Sequence, residues 1–396
     1  MPALLDLVVE LSGQEASLDS TADLAGGFMG GMNLHVPVKL SSGSRWLVRI
    51  PRRIFSAFPD HTTDAIIMSE VATMKWLSGN TSIPVPKVYS YGLSSSERNG
   101  IGVPYMLIEE MPGKPFMALD PSDGERQKVY EQVARMMGEL KERPFRKHGS
   151  LTLDERGEVE VGPIVGERTG TLHPHGPFMR SEEGYMAWVE QCLDLIADQQ
   201  LHVGFSVDAY LVYDFLRERL QHESREAHME ATPGDGRFYL KHTDDKGDHI
   251  FVNPDTFEVT GLIDWTFART VPFEEAFSPS LCTADMDAMY GGRLGLSVED
   301  RKYGRILQAT CGSEVGDLYR DQLRGDRSRR LIFGLATGVD VAWDEAKEIA
   351  VALLGVFGEP SDGDESWNTW RERRRVRCIK TDIRFRMLVE SVANSM

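Results

Sequence analysis

The sequence has little of three features that define special classes of protein. Its 396 residues include only 4 cysteines, which lie far apart and form no Cys-x-x-Cys pair. This excludes a zinc ribbon and a disulfide framework. No apolar run approaches the roughly 18 residues of a membrane-spanning helix, and the start, MPALLDLVVELSG, lacks the basic segment and long apolar stretch of a signal peptide. We therefore expect a soluble, cytoplasmic protein with no membrane partner.

Positive charge is also scarce. The chain has 44 Lys and Arg against 61 Asp and Glu, a formal net charge of −17. Nucleic-acid binding depends on cations that neutralise phosphates, so we expect no nucleic-acid partner, whereas an acidic surface would tolerate a cationic small molecule. The one basic run, Trp367–Arg377, is interpreted as a helix that pairs with the protein's own acids.

The remaining composition is that of an ordinary globular protein, with 41% hydrophobic and 27% charged residues. This length is sufficient for one large domain or two lobes with a proper core. We find no internal repeat and no low-complexity tract.

One stretch, 238–268, concentrates the polar chemistry. Its pattern predicts a strand at 238–241, a polar loop at 242–249, a strand at 250–252 and a β-rich run at 259–263 that ends at Asp264. If the last two strands form a hairpin, Asp264 returns to the side of the loop. The pattern therefore predicts that polar groups from two segments meet at one sheet edge.

Those groups are mainly carboxylates. Asp244, Asp245 and Asp248 lie in the loop beside His249, and Asp264 follows an apolar run. A solvated acidic turn is the alternative interpretation, but an acid that ends a buried strand needs a partner or a metal. Carboxylates bind Mg²⁺, and a phosphoryl acceptor needs a base for its hydroxyl proton. The stretch is therefore a candidate site for a divalent metal and for proton transfer.

Two motifs in this stretch resemble those of a known family. HTDDKGDHIFV at 242–252 and GLIDW at 261–265 resemble the catalytic loop HGDxxxxNILV and the IDW motif of the aminoglycoside phosphotransferase-like (phosphotransferase enzyme) family. Members of that family share the protein-kinase fold and use ATP and Mg²⁺. The resemblance implies that Asp244 is the catalytic base and that Asp264 is a metal ligand.

The motif departs from the family pattern at one position. The family places a metal-binding Asn five residues after the base, where this chain has His249, preceded by Asp248. Mg²⁺ prefers hard oxygen donors to imidazole nitrogen. Three alternatives stay open: Asp248 takes the ligand position, one metal position is weakened, or the protein is a pseudoenzyme.

The amino-terminal third adds candidates for nucleotide binding. A glycine cluster that includes Gly26 and Gly27 precedes two strands, LHVPVKL and WLVRIP; by itself it could be a plain turn. The resemblance implies that the glycines approach the phosphates and that Arg49, which replaces Lys as in fungal members of the family, contacts them while paired with Glu70. Helical spacing of apolar residues around Glu70 predicts a helix there: Ile67, Val71, Met74 and Leu77.

A further strand, at 103–111, precedes Pro112 and Gly113. By resemblance it is the connector between the lobes, where the backbones of Glu109 and Met111 contact adenine. We therefore expect an α+β, protein-kinase-like bilobal fold with a small antiparallel β lobe at 1–112 and a larger, mainly helical lobe at 113–396.

The resemblance implies an ATP-dependent phosphotransferase that moves the γ-phosphate to a hydroxyl of a small-molecule acceptor. The alternative is a kinase-like pseudoenzyme that serves as a nucleotide- or partner-binding module, because a shared fold does not fix the chemistry. A protein kinase is disfavoured because the chain has no HRD, DFG or APE signature.

Overall fold

The computed structural model describes residues 2–19, 32–52, 59–96, 99–166, 173–229, 236–320, 322–336, 343–357 and 363–395. It is a mixed α+β protein, as predicted. The chain forms two compact units, each assembled from three segments. The first comprises Met1–Leu140, Ser150–Gly166 and His242–Arg269, and the second comprises Lys141–Gly149, Glu167–Lys241 and Thr270–Met396.

The elements follow one another in this order. The strands are β1 (Ala16–Leu18), β2 (Asn33–Leu40), β3 (Arg45–Pro51), β4 (Val88–Gly92), β5 (Tyr105–Glu109), β6 (Lys114–Pro115), β7 (Gly149–Leu153), β8 (Val159–Gly162), β9 (Tyr239–Lys241), β10 (Ile250–Val252), β11 (Val259–Leu262) and β12 (Arg269–Val271). The helices are α1 (Pro2–Ser12), α2 (Asp60–Asn80), α3 (Asp123–Lys141), α4 (Ser181–Ala197), α5 (Ser206–Met229), α6 (Phe273–Phe277), α7 (Met286–Tyr290), α8 (Val298–Cys311), α9 (Ser313–Arg320), α10 (Gln322–Ala336), α11 (Trp343–Val356), α12 (Gly363–Thr381) and α13 (Ile383–Ser395). Among the helices in the described ranges, none has the length and apolar character that a membrane crossing requires.

The first unit is built on an antiparallel five-stranded sheet with the order β1-β2-β3-β5-β4. Alternation along β3 separates two faces, because successive side chains of a strand point in opposite directions. Trp46 and Val48 are buried against α1, in a cluster that includes Leu4 and Val8. Arg49 therefore lies on the other face of the sheet.

Helix α2 supplies the partner of Arg49. The helix follows Pro59, which pre-sets an extended backbone and cannot itself donate a hydrogen bond. Most of its middle residues are buried, so it is an internal helix, and Glu70 is only 3% exposed. A carboxylate at such a position needs a cation or hydrogen-bond donors. The helix predicted from the apolar spacing is confirmed.

The predicted hairpin of the central stretch is also confirmed. Strands β10 and β11 pair antiparallel, with Ile250 opposite Leu262. The side chain of Asn253 accepts the backbone N–H groups of Asp255 and Thr256, which fixes the turn. On its other edge β10 pairs with β6, so the hairpin is part of a three-stranded sheet.

The glycine between the connector strand and β6 has a strict steric role. Gly113 has φ +106°, and a Cβ at this position would lie 2.5 Å from the carbonyl oxygen of Val252 and 2.6 Å from Thr260 Oγ1. We expect Gly113→Ala to lower the free energy of unfolding by about 2 kcal/mol or more, because the backbone conformation is strained and the added carbon meets main chain. The measurement is urea denaturation.

Gly79→Ala is the matched control for this substitution. Gly79 lies in α2, has a negative φ, and nothing stands within 4 Å of an added Cβ. We expect that variant to be neutral or more stable by up to about 1 kcal/mol. Equal stability of the Gly113→Ala variant and wild type would contradict the steric role of Gly113.

The second unit is mainly helical. Its core packs large side chains from α4, α5, α11, α12 and α13, among them Trp188, Tyr210, Phe215, Trp370 and Phe385. The basic run on α12 pairs with acids of α5, as predicted. Arg374 Nη2 lies 2.6 Å from Asp214 Oδ2, and Arg377 Nη1 lies 2.9 Å from Glu218 Oε2.

His202, at the start of the segment that leads into α5, makes the second unit sensitive to acid. Burial lowers the pKa of His202 from its usual 6.5 to about 4. The unfolded chain therefore takes up a proton below pH 6.5 that the folded protein does not, and stability falls as the pH drops from 6.5 towards 4. Between pH 7 and pH 5 we expect His202 to account for a loss of about 2 kcal/mol.

His202→Asn tests this contribution. His202 has φ 53°, a conformation that Asn tolerates. The Asn side chain carries no charge at any of these pH values. The free energies of unfolding of wild type and variant at pH 7 and pH 5 should show a smaller loss for the variant. The same pH dependence in both proteins would rule out His202 as the source.

The two predicted lobes at 1–112 and 113–396 remain a prediction. The first compact unit includes the five-stranded sheet together with residues 242–269. The candidate site residues in the described part of the chain thus all belong to one unit, and their geometry can be described within it.

Candidate active site

Asp264 is brought to the polar loop by the main chain. The N–H of Ile263 donates to the carbonyl of His249 at 3.1 Å, and the N–H of Leu262 donates to the carbonyl of Pro84 at 2.7 Å. Asp264 follows directly and has φ 60°, a left-handed conformation that Asp tolerates better than most residues. This turn ends the hairpin beside the loop, as the sequence predicts.

His242 ties the beginning of the loop to the same segment. Its Nε2 donates to the carbonyl of Ile263 at 2.8 Å, and its Nδ1 accepts the N–H of Asp244 at 3.2 Å. One ring nitrogen therefore donates and the other accepts, which fixes a neutral tautomer. Burial and the charge of His249 lower the pKa of His242, which favours the same neutral form. His242 thus positions both Asp244 and Asp264 through their neighbouring backbone.

His249 has its ring orientation fixed in a similar way. Its Nδ1 donates to the carbonyl of Asp244 at 2.7 Å. Because a carbonyl can only accept, Nδ1 carries a proton, and Nε2 is the nitrogen that faces the acids. Nε2 lies 3.6 Å from Asp264 Oδ2 and 3.9 Å from Asp248 Oδ1. The three residues predicted as metal ligands are therefore brought together.

Arg49 and Glu70 form the predicted pair. Arg49 is 6% exposed, and its Nη1 donates to Glu70 Oε1. Its Nη2 also lies 3.0 Å from Asp264 Oδ1, a contact that the sequence does not predict. Burial would lower the pKa of Arg49, but the charges of Glu70 and Asp264 outweigh it and raise that pKa. The guanidinium is thus held between two carboxylates.

Thr266 connects the members of this cluster and was missed by the sequence analysis. Its Oγ1 lies 2.8 Å from Glu70 Oε2, 2.8 Å from Asp264 Oδ1 and 3.3 Å from Arg49 Nη2. A hydroxyl has one proton, so it donates to one carboxylate at a time. Its position two residues after Asp264 is the only signal in the sequence. A cavity of about 30 Å³ borders Arg49, Glu70 and Thr266.

The two carboxyls of the cluster have pKa values shifted in opposite directions, although burial acts upward on both. Burial raises the pKa of Glu70 against the pull of Arg49. For Asp264, burial acts in the same upward direction, but Arg49, His249 and the hydroxyl of Thr266 hold its pKa well below the usual range. The side chain of Asp264 is 39% exposed. Asp264 is therefore an accessible carboxylate that stays charged.

Lys246 is a second residue that the sequence analysis left without a role. Its Nζ lies 3.2 Å from Asp244 Oδ1 and 3.8 Å from Asp248 Oδ2. The loop also accepts the N–H of Met117 at the carbonyl of Gly247, at 3.2 Å. The predicted base thus has a cation within ion-pair distance, in a loop that is held by backbone contacts at several points.

Comparison with protein families identifies the family of the chain. A model of the phosphotransferase enzyme family matches residues 33–275, which is more than half of the chain. This chain belongs to the phosphotransferase enzyme family. The match includes Arg49, Glu70, Asp244 and Asp264, and the resemblance inferred from the sequence is confirmed.

The fold of this family member resembles that of solved kinases. Plasmodium vivax ethanolamine kinase gives a TM-score of 0.50 at 14% identity, over 89% of this chain and 84% of that one. A candidate fructosamine-3-kinase of Thermobifida fusca gives a TM-score of 0.51 at 16% identity, over 90% and 99% of the two chains. At such identities the likeness shows the fold alone. The predicted α+β, kinase-like fold is confirmed.

Curated relatives match over shorter stretches. A subtelomeric hrmA-associated cluster protein of Aspergillus fumigatus is 30% identical over 177 residues, which is 40% of this chain and 33% of that protein. A Candida tropicalis protein named "Altered inheritance of mitochondria protein 9, mitochondrial" is 35% identical over 144 residues, 34% of this chain and 22% of that protein. The matched region thus spans a third or less of these relatives.

These relatives correct one prediction. A cytoplasmic location was expected, but relatives from Candida tropicalis, Debaryomyces hansenii and Candida dubliniensis are named as mitochondrial proteins. The expectation is wrong because the composition of the first residues, on which it rested, does not record the compartment of a folded domain.

The adenine contacts remain predictions. Glu109 ends β5, and its N–H donates to the carbonyl of Lys87 at 2.9 Å, so that amide is already used within the sheet region. Met111 packs against Gly261, where an added Cβ would meet its side chain at 3.1 Å. Gly26 and Gly27 lie outside the described residues.

The loop and Asp264 carry donors of the types that bind divalent metals. Among the described residues, no group of three or more His, Cys, Asp or Glu side chains is arranged so that it could hold a metal ion. Asp248 Oδ1 is nevertheless buried without a hydrogen-bond partner in the described part of the chain, and His249 Nε2 lies 3.9 Å from it and 3.6 Å from Asp264 Oδ2. The donors fit a divalent cation by type, and the side chains would have to move to surround one ion.

Proposed function

We propose that this family member transfers the γ-phosphate of ATP to a hydroxyl of a small molecule, with a divalent metal. Family membership supports phosphotransferase chemistry in general. The observation that carries the finer proposal is the convergence of Asp244, His249 and Asp264 at the end of one hairpin, next to the buried pair of Arg49 and Glu70. Phosphoryl transfer requires a carboxylate that binds a metal, a cation that contacts the phosphates and a base that takes the proton of the acceptor.

Asp244 is the proposed general base. It lies near the start of a loop whose geometry is fixed by His242 on one side and by His249 on the other. A base must be held within hydrogen-bond reach of the acceptor hydroxyl. Two backbone contacts that do not involve its carboxylate hold the residue in place, and the carboxylate itself lies 3.2 Å from Lys246 Nζ.

Asp264, with Asp248 and His249, is the proposed metal-binding group. These residues would hold a divalent metal, which would supply charge neutralisation on the phosphates during transfer. The low pKa of Asp264 supports this role, because the carboxylate stays charged over the physiological pH range and does not need to lose a proton first.

Arg49 and Lys246 are the proposed cations for the phosphates. Arg49 uses both terminal nitrogens for Glu70 and Asp264. A guanidinium has five N–H donors, and Arg49 Nε has no hydrogen-bond partner in the described part of the chain, so Arg49 keeps donor capacity for a phosphate while Glu70 holds it in place.

A pseudoenzyme is the second candidate. Two observations favour it: an imidazole occupies the position of a metal-binding amide, and Arg49 already neutralises Asp264. In that case Arg49 would take the place of a metal, and nucleotide binding would not depend on divalent cations. The two candidates therefore differ in a property that can be measured without a known acceptor.

Calorimetric titration with ATP is the experiment that separates them. With Mg²⁺ or Mn²⁺ present, a phosphotransferase binds ATP, and removal of the metal by a chelator weakens binding. Equal affinity with and without metal, in a protein whose thermal unfolding is unchanged by the chelator, would favour the pseudoenzyme. No binding under either condition would sink both.

We also propose a cationic acceptor and a mitochondrial location. The net charge of −17 supports the first, since a negative field raises the local concentration of cations, and the names of the yeast relatives support the second. Screening paired amine-bearing and neutral hydroxylated compounds with labelled ATP tests the acceptor. Co-localisation of a carboxy-terminally tagged protein with a mitochondrial marker tests the location.

A further inference from the structure

The position of His249 bears on which metal the site binds. This inference rests on the proposed function. The ring is oriented by its Nδ1, which donates to the carbonyl of Asp244 at 2.7 Å. Nε2 therefore faces Asp248 and Asp264. In metal-binding histidines, a hydrogen bond from the ring nitrogen that does not bind the metal holds the ring in this way.

Two carboxylate oxygens complete the group. Asp248 Oδ1 is buried and has no hydrogen-bond partner among the described residues, which is costly for an acceptor unless it binds something. On Asp264, Oδ1 is used by Arg49 and Thr266, and Oδ2 faces His249. The imidazole nitrogen thus faces one oxygen of each carboxylate.

The spacing of these atoms suits an ion between them. Nε2 lies 3.6 Å and 3.9 Å from the two oxygens, too far for a charge-assisted hydrogen bond of about 2.7–2.9 Å. A divalent ion with bonds of about 2.1 Å can join two atoms up to about 4.2 Å apart. The gap is therefore wide enough for a cation and too wide for a direct ion-pair hydrogen bond.

The mixed donor set determines which ion is favoured. Mg²⁺ prefers an octahedral shell of oxygens, whereas imidazole suits later first-row transition metals, and affinity for a given set of nitrogen and oxygen donors rises from Mn²⁺ to Cu²⁺ and is lower again for Zn²⁺. We propose that this site binds a divalent transition metal in preference to Mg²⁺, with His249 Nε2 as a direct ligand. The substitution of His for Asn then changes the metal preference of the site and does not disable it.

Spectroscopy of the Mn²⁺-loaded full chain tests this directly. Without nucleotide, so that adenine nitrogens do not contribute, electron spin echo modulation should show ¹⁴N coupling from a bound imidazole. His249→Asn should abolish the coupling, and His173→Asn, a substitution of an exposed loop histidine, should retain it. Calorimetry should show that the ratio of Mn²⁺ to Mg²⁺ affinity falls about tenfold in His249→Asn.

Each other outcome has a defined meaning. Coupling that persists in His249→Asn, or bound Mn²⁺ without coupling in wild type, would overturn the assignment of His249 as a ligand. Metal-dependent ATP binding with no preference for Mn²⁺ would overturn this inference and leave the proposed function standing. Failure of the folded wild type to bind ATP with either metal would overturn both.

Discussion

Asp244→Asn is expected to reduce the rate of phosphoryl transfer by roughly 10²–10⁴-fold, the range of general-base catalysis. Asn keeps the size of the side chain and leaves the backbone contacts from Asp244 to His242 and His249 intact, but it cannot accept the proton of the acceptor. Affinity for ATP should change little, because the proposed phosphate and metal contacts belong to other residues. The measurement is a single-turnover transfer assay with an acceptor found by screening.

Asp255→Asn is the matched control. Asp255 is exposed in the turn between β10 and β11, so the same substitution in the same hairpin should leave the rate unchanged. If the Asp244→Asn variant kept full transfer while binding ATP as wild type does, Asp244 would not be the base.

Glu70→Ala is expected to lower the free energy of unfolding by about 3–5 kcal/mol, the cost of leaving one partner of a buried ion pair uncompensated. Glu70 and Arg49 are 3% and 6% exposed, so water cannot replace the lost carboxylate. The hydroxyl of Thr266 also loses an acceptor. Urea denaturation measures the change, and the affinity for ATP should fall as well, because Arg49 loses its fixed position.

A double variant separates charge burial from packing. In Arg49→Met with Glu70→Leu, both charges are replaced by apolar side chains, and we expect this protein to be more stable than Glu70→Ala alone. It should still bind ATP poorly, since the proposed phosphate cation is absent. A single variant Glu70→Ala within about 1 kcal/mol of wild type would show that Arg49 does not depend on Glu70.

Much of the site could be predicted from the sequence, because the strand pattern, the turn residue and the helical spacing each indicate the element that the structure contains. A short apolar run and a β-rich run define β10 and β11, and Asn253 fixes the turn, so the return of Asp264 to the loop follows from the pairing of two strands. Helical spacing placed Glu70 on α2. The partnership of Arg49 and Glu70 came from the family resemblance, because no local pattern links residues 21 positions apart on a strand and a helix.

Contacts made by polar side chains across long separations were not predicted. The contact of Arg49 with Asp264 joins residues that are 215 positions apart, and Thr266 has no pattern that marks it as a link. Hydroxyls and carboxylates carry no periodic signal that identifies their partners. Such contacts depend on tertiary packing, which brings the carboxylates and the guanidinium into one buried cluster.

Helix α10 illustrates the same limit outside the site. The helix runs over Gln322–Ala336 and buries Asp326, Arg329 and Arg330, with Arg329 Nη1 3.0 Å from Asp300 Oδ1. Charged residues are almost never buried unless they are paired, so a hydrophobic pattern assigns such residues to the surface.

The dependence of ATP binding on the metal ligands tests the central claim most directly. Calorimetric titration of wild type and Asp264→Asn with ATP, each with Mn²⁺, with Mg²⁺ and with a chelator, requires no acceptor. We expect wild type to bind ATP only with a divalent metal, and Asp264→Asn to lose most of the metal-dependent part. Binding by both proteins that is unaffected by the chelator would contradict a metal-dependent phosphotransferase site at Asp264.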